Sequence, residues 1–242
     1  MSGRLLTIGD IHGCASALDA ILKESAPEAD ETVVILGDVI DRGPDTPGVV
    51  ERLLDLERRC RVVLIRGNHE EQFFRSFDEP SAFDAWMLHG GAETLAQYGG
   101  RMDRIPEEHV EFLQRSVDWF EQGAALFAHA GLAADVPLAD QSSAWLRWIK
   151  HTPDRPVWQP EKTVYVGHTP QKSGLPLATP GWCAIDTWAY GALRGADGWL
   201  TCLDVGSGTY WQTREEGGVR EGKIEQPPTS HRQPPTTNNQ LR

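Results

Sequence analysis

Five predicted strands of this chain each lead directly into a short segment that combines glycine with aspartate, asparagine or histidine. In chain order these segments are GDIHG at 9–13, GDVIDRG at 37–43, RGNHE at 66–70, HAG at 129–131 and GHT at 167–169. Ligands of open α/β sheets bind at the carboxyl ends of the strands. Glycine permits backbone angles that other residues avoid and lets a loop approach a bound group closely. The pattern therefore predicts one polar site, assembled from five loops at one edge.

Hydrophobic patterning places these segments in an α/β fold. Short apolar runs, often β-branched, predict strands at residues 5–8, 32–36, 62–65, 124–128, 163–166, 181–185 and 199–205. Apolar residues at helical spacing predict helices over 15–25 and 47–59. This alternation of strand and helix predicts a parallel sheet core. We expect a helical insertion around 70–116, followed by short strands, some of them antiparallel, and hence a layered α/β sandwich with two sheets.

Length and composition favour a single folded unit. A chain of 242 residues can close one full core. We place this domain over residues 1–216, because the segment 217–242 has no aromatic residue, two Pro-Pro pairs and few apolar groups. Such a composition is typical of disorder, so we expect a disordered C-terminal tail.

Charge and hydropathy exclude several classes of partner. The formal net charge of −12 argues against a nucleic-acid partner, whose phosphate backbone attracts basic surfaces. No apolar run approaches the ~20 residues that span a bilayer, and no secretory signal is recognisable. We therefore expect a cytoplasmic protein without a membrane partner, with its four cysteines as free thiols. The sequence leaves the oligomeric state open, with a monomer favoured.

The polar residues after the strands are typical metal ligands. Carboxylate, amide and imidazole groups without thiolates suit divalent ions such as Mn²⁺, Zn²⁺ or Fe²⁺. A single histidine beside a turn is usually a turn residue, but five such segments in succession indicate a metal site.

These five motifs resemble those of the calcineurin-like metallophosphoesterases of the phosphoprotein phosphatase type. Further similarity covers WMLHGGAETLAQYGG at 86–100 and the segments IDTWAYG and WLTCLDV, so that the resemblance extends over about residues 4–205. The resemblance is strongest to the small bacterial and bacteriophage serine/threonine phosphatases. The resemblance implies an α/β/β/α sandwich of two mixed sheets, with the helical insertion around 70–116.

The resemblance also implies two divalent metal ions, expected to be Mn²⁺, with Fe²⁺ or Zn²⁺ as alternatives. Asp10 and His12 are expected to bind the first ion, and Asp38 to bridge both ions. Asn68, His129 and His168 are expected to complete the second site. Such pairs of ions hold a bridging hydroxide that attacks phosphorus in line.

Further residues of the same motifs are implied to act on the substrate. His69 is expected to be the general acid, oriented by Asp41, because a neighbouring carboxylate favours the imidazolium form. Arg42 and Asn68 are expected to bind the substrate phosphate. Arg147 is the candidate for a second phosphate-binding cation, with Lys150 as the alternative in another register.

The implied activity is hydrolysis of phosphomonoesters, namely phosphoserine and phosphothreonine in proteins, and small aryl phosphates in vitro. A hydrolase of diadenosine polyphosphates or other nucleotides is the alternative on the same fold. A metal-binding module without catalysis is the weaker alternative, because every expected ligand and the expected acid, His69, are present.

Some residues depart from the pattern or lack a motif. Trp188 follows IDT where the family often has glycine, and it predicts either a narrowed site mouth or simple packing at the rim. The remaining histidines have no motif around them and are predicted at the surface, at positions 89, 109, 151 and 231.

Overall fold

The structure is a computed structural model that describes residues 3–224. Its strands are β1 (Leu5–Ile8), β2 (Thr32–Ile35), β3 (Arg61–Leu64), β4 (Trp119–Gln122), β5 (Ala125–Ala128), β6 (Thr163–Val166), β7 (Leu177–Thr179), β8 (Trp182–Ala184), β9 (Leu200–Asp204), β10 (Thr209–Thr213) and β11 (Val219–Lys223). Its α-helices are α1 (Ala15–Ser25), α2 (Thr46–Glu57), α3 (Asn68–Arg75), α4 (Pro80–Trp86), α5 (Ala92–Gln97), α6 (Glu107–Gln114) and α7 (Ser143–Arg147). Each of the seven strands predicted from the sequence is present, with ends within one residue of the expected ones.

Two mixed sheets form the centre of the fold, as expected. The first has the strand order β11-β10-β9-β1-β2-β3, in which β1, β2 and β3 are parallel. The second has the order β4-β5-β6-β8-β7, in which β5, β6 and β8 are parallel. Five of these six parallel strands, all except β8, lead into the loops that carry the glycine-containing motifs, so the topology brings these loops together.

Alternation along the strands builds the layers. In β2, Val33 and Ile35 pack into the core beneath α1 and α2, whereas Val34 faces the other sheet. In β5, Phe127 packs with Val34 in a second core, which lies between the two sheets. Leu126 points to the opposite face of β5 and belongs to a third cluster near α7. Successive side chains of a strand point to opposite faces, so the order of layers is helix, sheet, sheet, helix. The α/β/β/α sandwich is therefore confirmed.

The predicted helical insertion contains α3 to α6 and a π-helical turn at Met87–Gly91. Gly90 in this turn has a φ of 121°, and a Cβ at this position would lie 2.8 Å from Cγ of Arg42. A glycine is required here, because it lets the insertion pack directly against the loop after β2. The insertion thus supports the polar site as well as extending the fold.

The boundary expected at residue 216 is wrong, because the ordered structure continues through β11. This strand pairs with β10 over five residues, from Thr209 with Lys223 to Thr213 with Val219. The guanidinium of Arg220 also lies 4.0 Å from the ring centre of Trp199. Pairing with β10 and the contact of Arg220 with the ring of Trp199 stabilise β11, which has few apolar groups of its own. The rest of the predicted tail, from 225 to 242, lies outside the described residues.

Two further features of residues 3–224 concern cysteines and helices. All four cysteines are buried and free, as expected; they are Cys14, Cys60, Cys183 and Cys202. None of the helices in the described part of the chain is both long and apolar enough to span a membrane.

Candidate metal centre

The loops after β1 and β2 are joined through their backbones. The amide groups of Ile11 and His12 both donate to the carbonyl of Asp38, at 3.1 and 2.8 Å. Several non-glycine residues of these loops adopt positive φ values, among them His12 at 46°, Asp38 at 49° and Asp41 at 71°. Such left-handed conformations cost free energy and cluster at functional sites. The backbone is therefore held in an unusual conformation where the predicted ligands lie.

Glycine allows these loops to approach each other, as the sequence predicts. A Cβ at Gly67 would collide with the carboxylate of Asp38, and a Cβ at Gly167 would collide with the carboxylate of Asp10. Both glycines have ordinary negative φ values, so space rather than backbone angle requires them.

Asp38 lies at the centre of the cluster. Its Oδ2 atom is 3.6 Å from Nε2 of His12, 3.9 Å from Nε2 of His69 and 3.4 Å from Nε2 of His129. Burial alone would raise the pKa of this carboxyl group, but the imidazoles of His129 and His69 outweigh it and hold the pKa well below its usual value. One carboxylate oxygen is thus shared between histidines from three loops.

Asn68 connects the remaining two predicted ligands. Its Oδ1 atom is 3.1 Å from Nε2 of His129 and 2.9 Å from Nδ1 of His168. Asp10 lies on the other side of His168 and accepts hydrogen bonds from its backbone N–H at 3.0 and 3.2 Å. The structure therefore brings all six predicted ligands into one cluster.

Hydrogen bonds to backbone carbonyls orient the rings. Nδ1 of His12 is 2.9 Å from the carbonyl oxygen of Ile40, and Nδ1 of His129 is 2.6 Å from that of Leu36. In both cases Nε2 is left to face Asp38. Metal-bound histidines usually use their second ring nitrogen in this way, because the hydrogen bond fixes the tautomer and the ring orientation.

The donor atoms fit a pair of divalent cations. Within residues 3–224, two groups of possible ligand atoms each lie within 4.8 Å of one another: His12, Asp38 and His69 in one group, and Asp38, His129 and His168 in the other. The two groups share Asp38, and their oxygen and nitrogen atoms suit borderline-hard ions. One difference from the expected arrangement is that the first group contains His69 instead of Asp10.

The buried carboxyl groups also point to a cation. Burial raises the pKa of Asp10 well above its usual value, and the nearby Asp186 and Asp38 raise it further. Burial likewise raises the pKa of Asp186 to about 6. A buried carboxylate is costly without a positive partner, so bound cations would stabilise the ionised form of these carboxyl groups. Asp186, which belongs to the IDT segment, was missed as a member of the cluster, although its sequence context could have suggested it.

His69 and Asp41 form the contact expected from the sequence. Nδ1 of His69 is 2.7 Å from Oδ2 of Asp41. Asp41 is fully buried and also accepts hydrogen bonds from Nε1 of Trp86, at 3.0 and 3.1 Å, and from Oγ1 of Thr94, at 2.8 Å. Trp86 and Thr94 come from the helical insertion, and sequence reasoning did not identify them. They hold the carboxylate in the orientation that contacts the imidazole.

The role of Glu70 was also missed. Its carboxylate accepts hydrogen bonds from the backbone N–H groups of Asp38, Val39 and Gly67, each at 2.9 Å. The side chain of a residue three positions after a helix N-cap commonly bonds back to the cap. Here the same carboxylate also fastens the loop after β2, and so positions Asp38.

Arg42 projects its guanidinium beside the cluster. Nη1 donates to the hydroxyl of Tyr190 at 2.9 Å and lies 3.1 Å from Nε2 of His12. The guanidinium carbon lies 4.8 Å from the centre of the Tyr190 ring. Trp188 packs edge-on against that ring, with centroids 6.1 Å apart. Trp188 therefore supports Tyr190, and through it the position of Arg42.

Arg147 is engaged outside the cluster. One terminal nitrogen donates to Glu71 at 2.6 Å, and the other donates to Asp118. Lys150 is exposed. Both terminal nitrogens of Arg147 contact carboxylates, and its assignment as a phosphate-binding residue stays a prediction, as does the alternative of Lys150.

The predicted surface histidines divide into three cases. His89 is exposed, as expected. His109 is buried, with Nδ1 2.8 Å from the hydroxyl of Tyr98 and Nε2 3.0 Å from Glu51, so its prediction was wrong. His151 is also buried, against the ring of Trp182, because the segment after α7 folds back over the sheet. His231 lies outside the described residues.

The chain belongs to the calcineurin-like phosphoesterases, whose family pattern matches residues 3–176. It is a metallophosphoesterase, and the expected family resemblance is confirmed. Members of this family depend on a dinuclear metal centre, with which the histidine and aspartate cluster is compatible.

Similar proteins have several activities. A symmetrical bis(5′-nucleosyl)-tetraphosphatase of Bordetella pertussis is 38% identical over 137 residues, which are 55% of this chain and 46% of that protein. Serine/threonine-protein phosphatase 1 of Salmonella typhimurium is 36% identical over 85 residues, covering 35% of this chain and 37% of that protein. A crystal structure of a putative diadenosine tetraphosphatase has a TM-score of 0.64 at 21% identity, with 92% of this chain and 94% of that chain covered. The chain spans about half the length of the tetraphosphatase relatives that it matches.

Proposed function

We propose that this chain is a divalent-cation-dependent hydrolase of dinucleoside polyphosphates. The observation that carries the proposal of a hydrolytic metal centre is the position of Asp38, whose Oδ2 atom lies within 3.9 Å of three imidazoles from two groups of possible ligands. The substrate class is supported by the tetraphosphatase relatives in Bordetella pertussis and other bacteria. The sequence motifs alone favoured phosphoproteins as the substrate, with dinucleotides as the alternative, and this proposal reverses that ranking.

In this proposal six side chains hold two cations. The first site uses Asp10, His12 and the shared Asp38; the second uses Asp38, Asn68, His129 and His168. When bound, two divalent cations would activate water as a nucleophile and neutralise the oxygens of the phosphate. Their charge, with that of Arg42, would balance the formal charges of Asp10, Asp38, Asp41, Glu70 and Asp186, and the cations would contact the phosphate oxygens directly. The site would then attract phosphate although the chain has a net charge of −12.

His69 acts as the general acid in this scheme. Its Nδ1–H donates to the buried Asp41, which fixes the orientation of the ring. Nε2 is left on the side of Asp38, 3.9 Å from its carboxylate oxygen, where it can deliver a proton to the leaving oxygen. Arg42 and Asn68 bind phosphate oxygens, and the Tyr190 hydroxyl restrains the Arg42 guanidinium.

Phosphomonoesters are the second candidate class of substrate. The His69–Asp41 pair favours them, because a serine or threonine alkoxide is a poor leaving group that needs a proton. The Salmonella typhimurium protein phosphatase provides a relative with that specificity by name.

A substrate panel distinguishes the two classes. The protein, reconstituted with Mn²⁺, is assayed on a dinucleoside tetraphosphate, a phosphoserine peptide, p-nitrophenyl phosphate and a phosphodiester. We expect the highest kcat/KM on the dinucleoside tetraphosphate, and loss of activity in the presence of a chelator. Analysis of the products would show whether cleavage gives two diphosphates or a monophosphate and a triphosphate.

A matched pair of variants controls for trace contaminating enzymes. Asp38→Asn should abolish activity on every substrate, whereas His89→Asn, at an exposed histidine, should retain it. A higher kcat/KM on the phosphoserine peptide would favour the second class. Activity that persists in Asp38→Asn, or that resists chelation, would contradict the proposed metal-dependent site.

A further inference from the structure

A cavity of about 350 Å³ lies on the surface beside the metal centre, outside the site described so far. This volume is within the range of roughly 300–1,000 Å³ that is common for small-molecule sites. Its walls are largely apolar and aromatic, and include Leu132, Trp145, Ile149, Lys150, Arg155 and Trp158. Trp145 is 37% exposed, so part of its large ring remains open to a ligand.

The segment that forms one wall of this cavity is attached to two loops of the metal centre. The carbonyl of Trp148 is 3.1 Å from Nε2 of His168, and the N–H of His151 donates to Oγ1 of Thr169 at 2.8 Å. A Cβ at Gly131, in the loop that begins with His129, would collide with Nη1 of Arg155. A molecule in the cavity would therefore lie next to the cluster, within reach of a phosphate chain.

Arg155 places a positive charge in the wall of the cavity. Its guanidinium lies 5.6 Å from the ring centre of Trp145 and 5.2 Å from that of Trp182. Nη2 donates to the carbonyl of Lys150 at 2.6 Å. Nη1 is buried and has no hydrogen-bond partner among residues 3–224. Nη1 packs against Gly131 and is closed off from the cavity, so Arg155 contributes its charge and its place against the two indoles rather than a free donor.

Taken together, these features match a nucleobase. A base offers a flat face that stacks on indole rings and carries ring nitrogens or carbonyl oxygens that accept hydrogen bonds. An aliphatic side chain of a phosphoprotein would fill the apolar walls but would not stack on the exposed ring of Trp145. Lys150 and Arg155 outweigh the one carboxylate of the lining, Asp154, so the cavity has a net positive charge that favours the phosphates of a nucleotide.

We propose that this cavity is the subsite for one nucleobase of a nucleoside polyphosphate whose phosphates reach the metal centre. The proposal rests on the function proposed above and specifies how that substrate is recognised. It assigns the selection of nucleotides to the segment between Trp145 and Trp158, and the hydrolysis to the residues around Asp38.

The test compares Trp145→Ala with Trp145→Phe and with Trp119→Ala. Trp119 is an exposed tryptophan in β4 and does not line the cavity, so it is the matched control. Loss of base stacking on an aromatic residue weakens binding by roughly 5- to 150-fold. We expect Trp145→Ala to raise the KM for the dinucleoside tetraphosphate, and the Kd for AMP measured by calorimetry, by a factor in this range.

Substrates without a base provide the second control. The KM values for tripolyphosphate and p-nitrophenyl phosphate should stay unchanged in Trp145→Ala, and Trp145→Phe should retain most of the AMP affinity. Thermal unfolding shows whether the variants are folded.

The outcomes separate this proposal from the proposed function. If the wild-type protein hydrolyses the dinucleoside tetraphosphate but Trp145→Ala binds AMP as tightly as Trp119→Ala does, the subsite is wrong and the function stands. If only esters without a base are hydrolysed, the proposed substrate is wrong, and AMP binding still decides whether the cavity takes a base. If Trp145→Ala lost activity only on a phosphoserine peptide, the cavity would bind peptides instead of a base, and the proposal would be overturned.

Discussion

Replacement of His69 by asparagine tests the proposed chemistry most directly. General acid catalysis contributes roughly 10²–10⁴-fold to a rate, and we expect His69→Asn to lower turnover of a phosphoserine peptide by about that factor. The loss should be smaller for the dinucleoside tetraphosphate and for p-nitrophenyl phosphate, because a nucleotide phosphate and p-nitrophenolate both depart readily without a proton.

The size of the effect at Asp41 follows from its contacts. The carboxylate accepts from His69 at 2.7 Å, and both of its oxygens are already occupied by Trp86 and Thr94. In Asp41→Asn one oxygen becomes an NH₂ group that faces donors, so the orienting bond to the imidazole is lost. Hydrogen bonds to charged groups contribute roughly 1.5–3 kcal/mol, which corresponds to a rate loss of about 10- to 150-fold.

The assay must also measure bound metal, because His69 belongs to one of the groups of possible ligands. Turnover of the three substrates is measured beside metal content, with His89→Asn as the control for an exposed histidine. If His69→Asn lowered all three activities equally, or emptied a metal site, the general-acid role would be refuted and His69 would be a ligand.

Three further predictions concern binding, the C-terminal strand and pH. Arg42→Ala should raise the inhibition constant of inorganic phosphate, measured against p-nitrophenyl phosphate; an unchanged constant would remove Arg42 from the phosphate site. Truncation after residue 216 should lower the Tm relative to truncation after residue 224, because it removes β11 and exposes the edge of β10; equal Tm values would show that β11 contributes nothing. Burial lowers the pKa of His151 from 6.5 to about 4. Between these two pH values the unfolded chain binds a proton at His151 that the folded chain does not bind, so the stability of the fold decreases as the pH drops from about 6.5 towards 4. His151→Phe should reduce this loss in pH-dependent thermal melts, and identical profiles would contradict it.

The central strands and the cluster at their ends could be predicted because their signals are local. A short apolar run followed by glycine and a ligand-type residue specifies both a strand end and its chemistry, as at Asp10, Asp38 and His129. The residues that were missed act at long range. Trp86 and Thr94 reach Asp41 from 45 and 53 positions away, and nothing near them in the sequence indicates this contact.

The same limit explains the errors at β11 and at the buried histidines. Strand β11 depends on pairing with β10 and on the ring of Trp199, which a composition of few apolar residues does not reveal. His109 is buried because it finds partners in Tyr98 and Glu51. Burial of a polar side chain depends on such partners, which only the folded chain brings together.

Glu70 provides the last prediction, because it links local sequence to the geometry of the centre. Its two carboxylate oxygens accept three backbone N–H groups from the loops after β2 and β3, among them that of Asp38. In Glu70→Gln one of these oxygens becomes a donor, so at least one buried N–H loses its acceptor, at a cost of roughly 1–3 kcal/mol in stability.

The effect on the metal centre should be separable from this loss of stability. Residues that position ligands typically change metal affinity by roughly 10- to 100-fold when they are mutated, and we expect Glu70→Gln to weaken Mn²⁺ binding by about that factor in calorimetric titrations. Glu70→Asp keeps the charge but shortens the side chain, so it should restore part of the affinity only if the loop can move to meet it. If a folded Glu70→Gln variant bound Mn²⁺ as tightly as the wild-type protein, Glu70 would stabilise the loops without positioning Asp38.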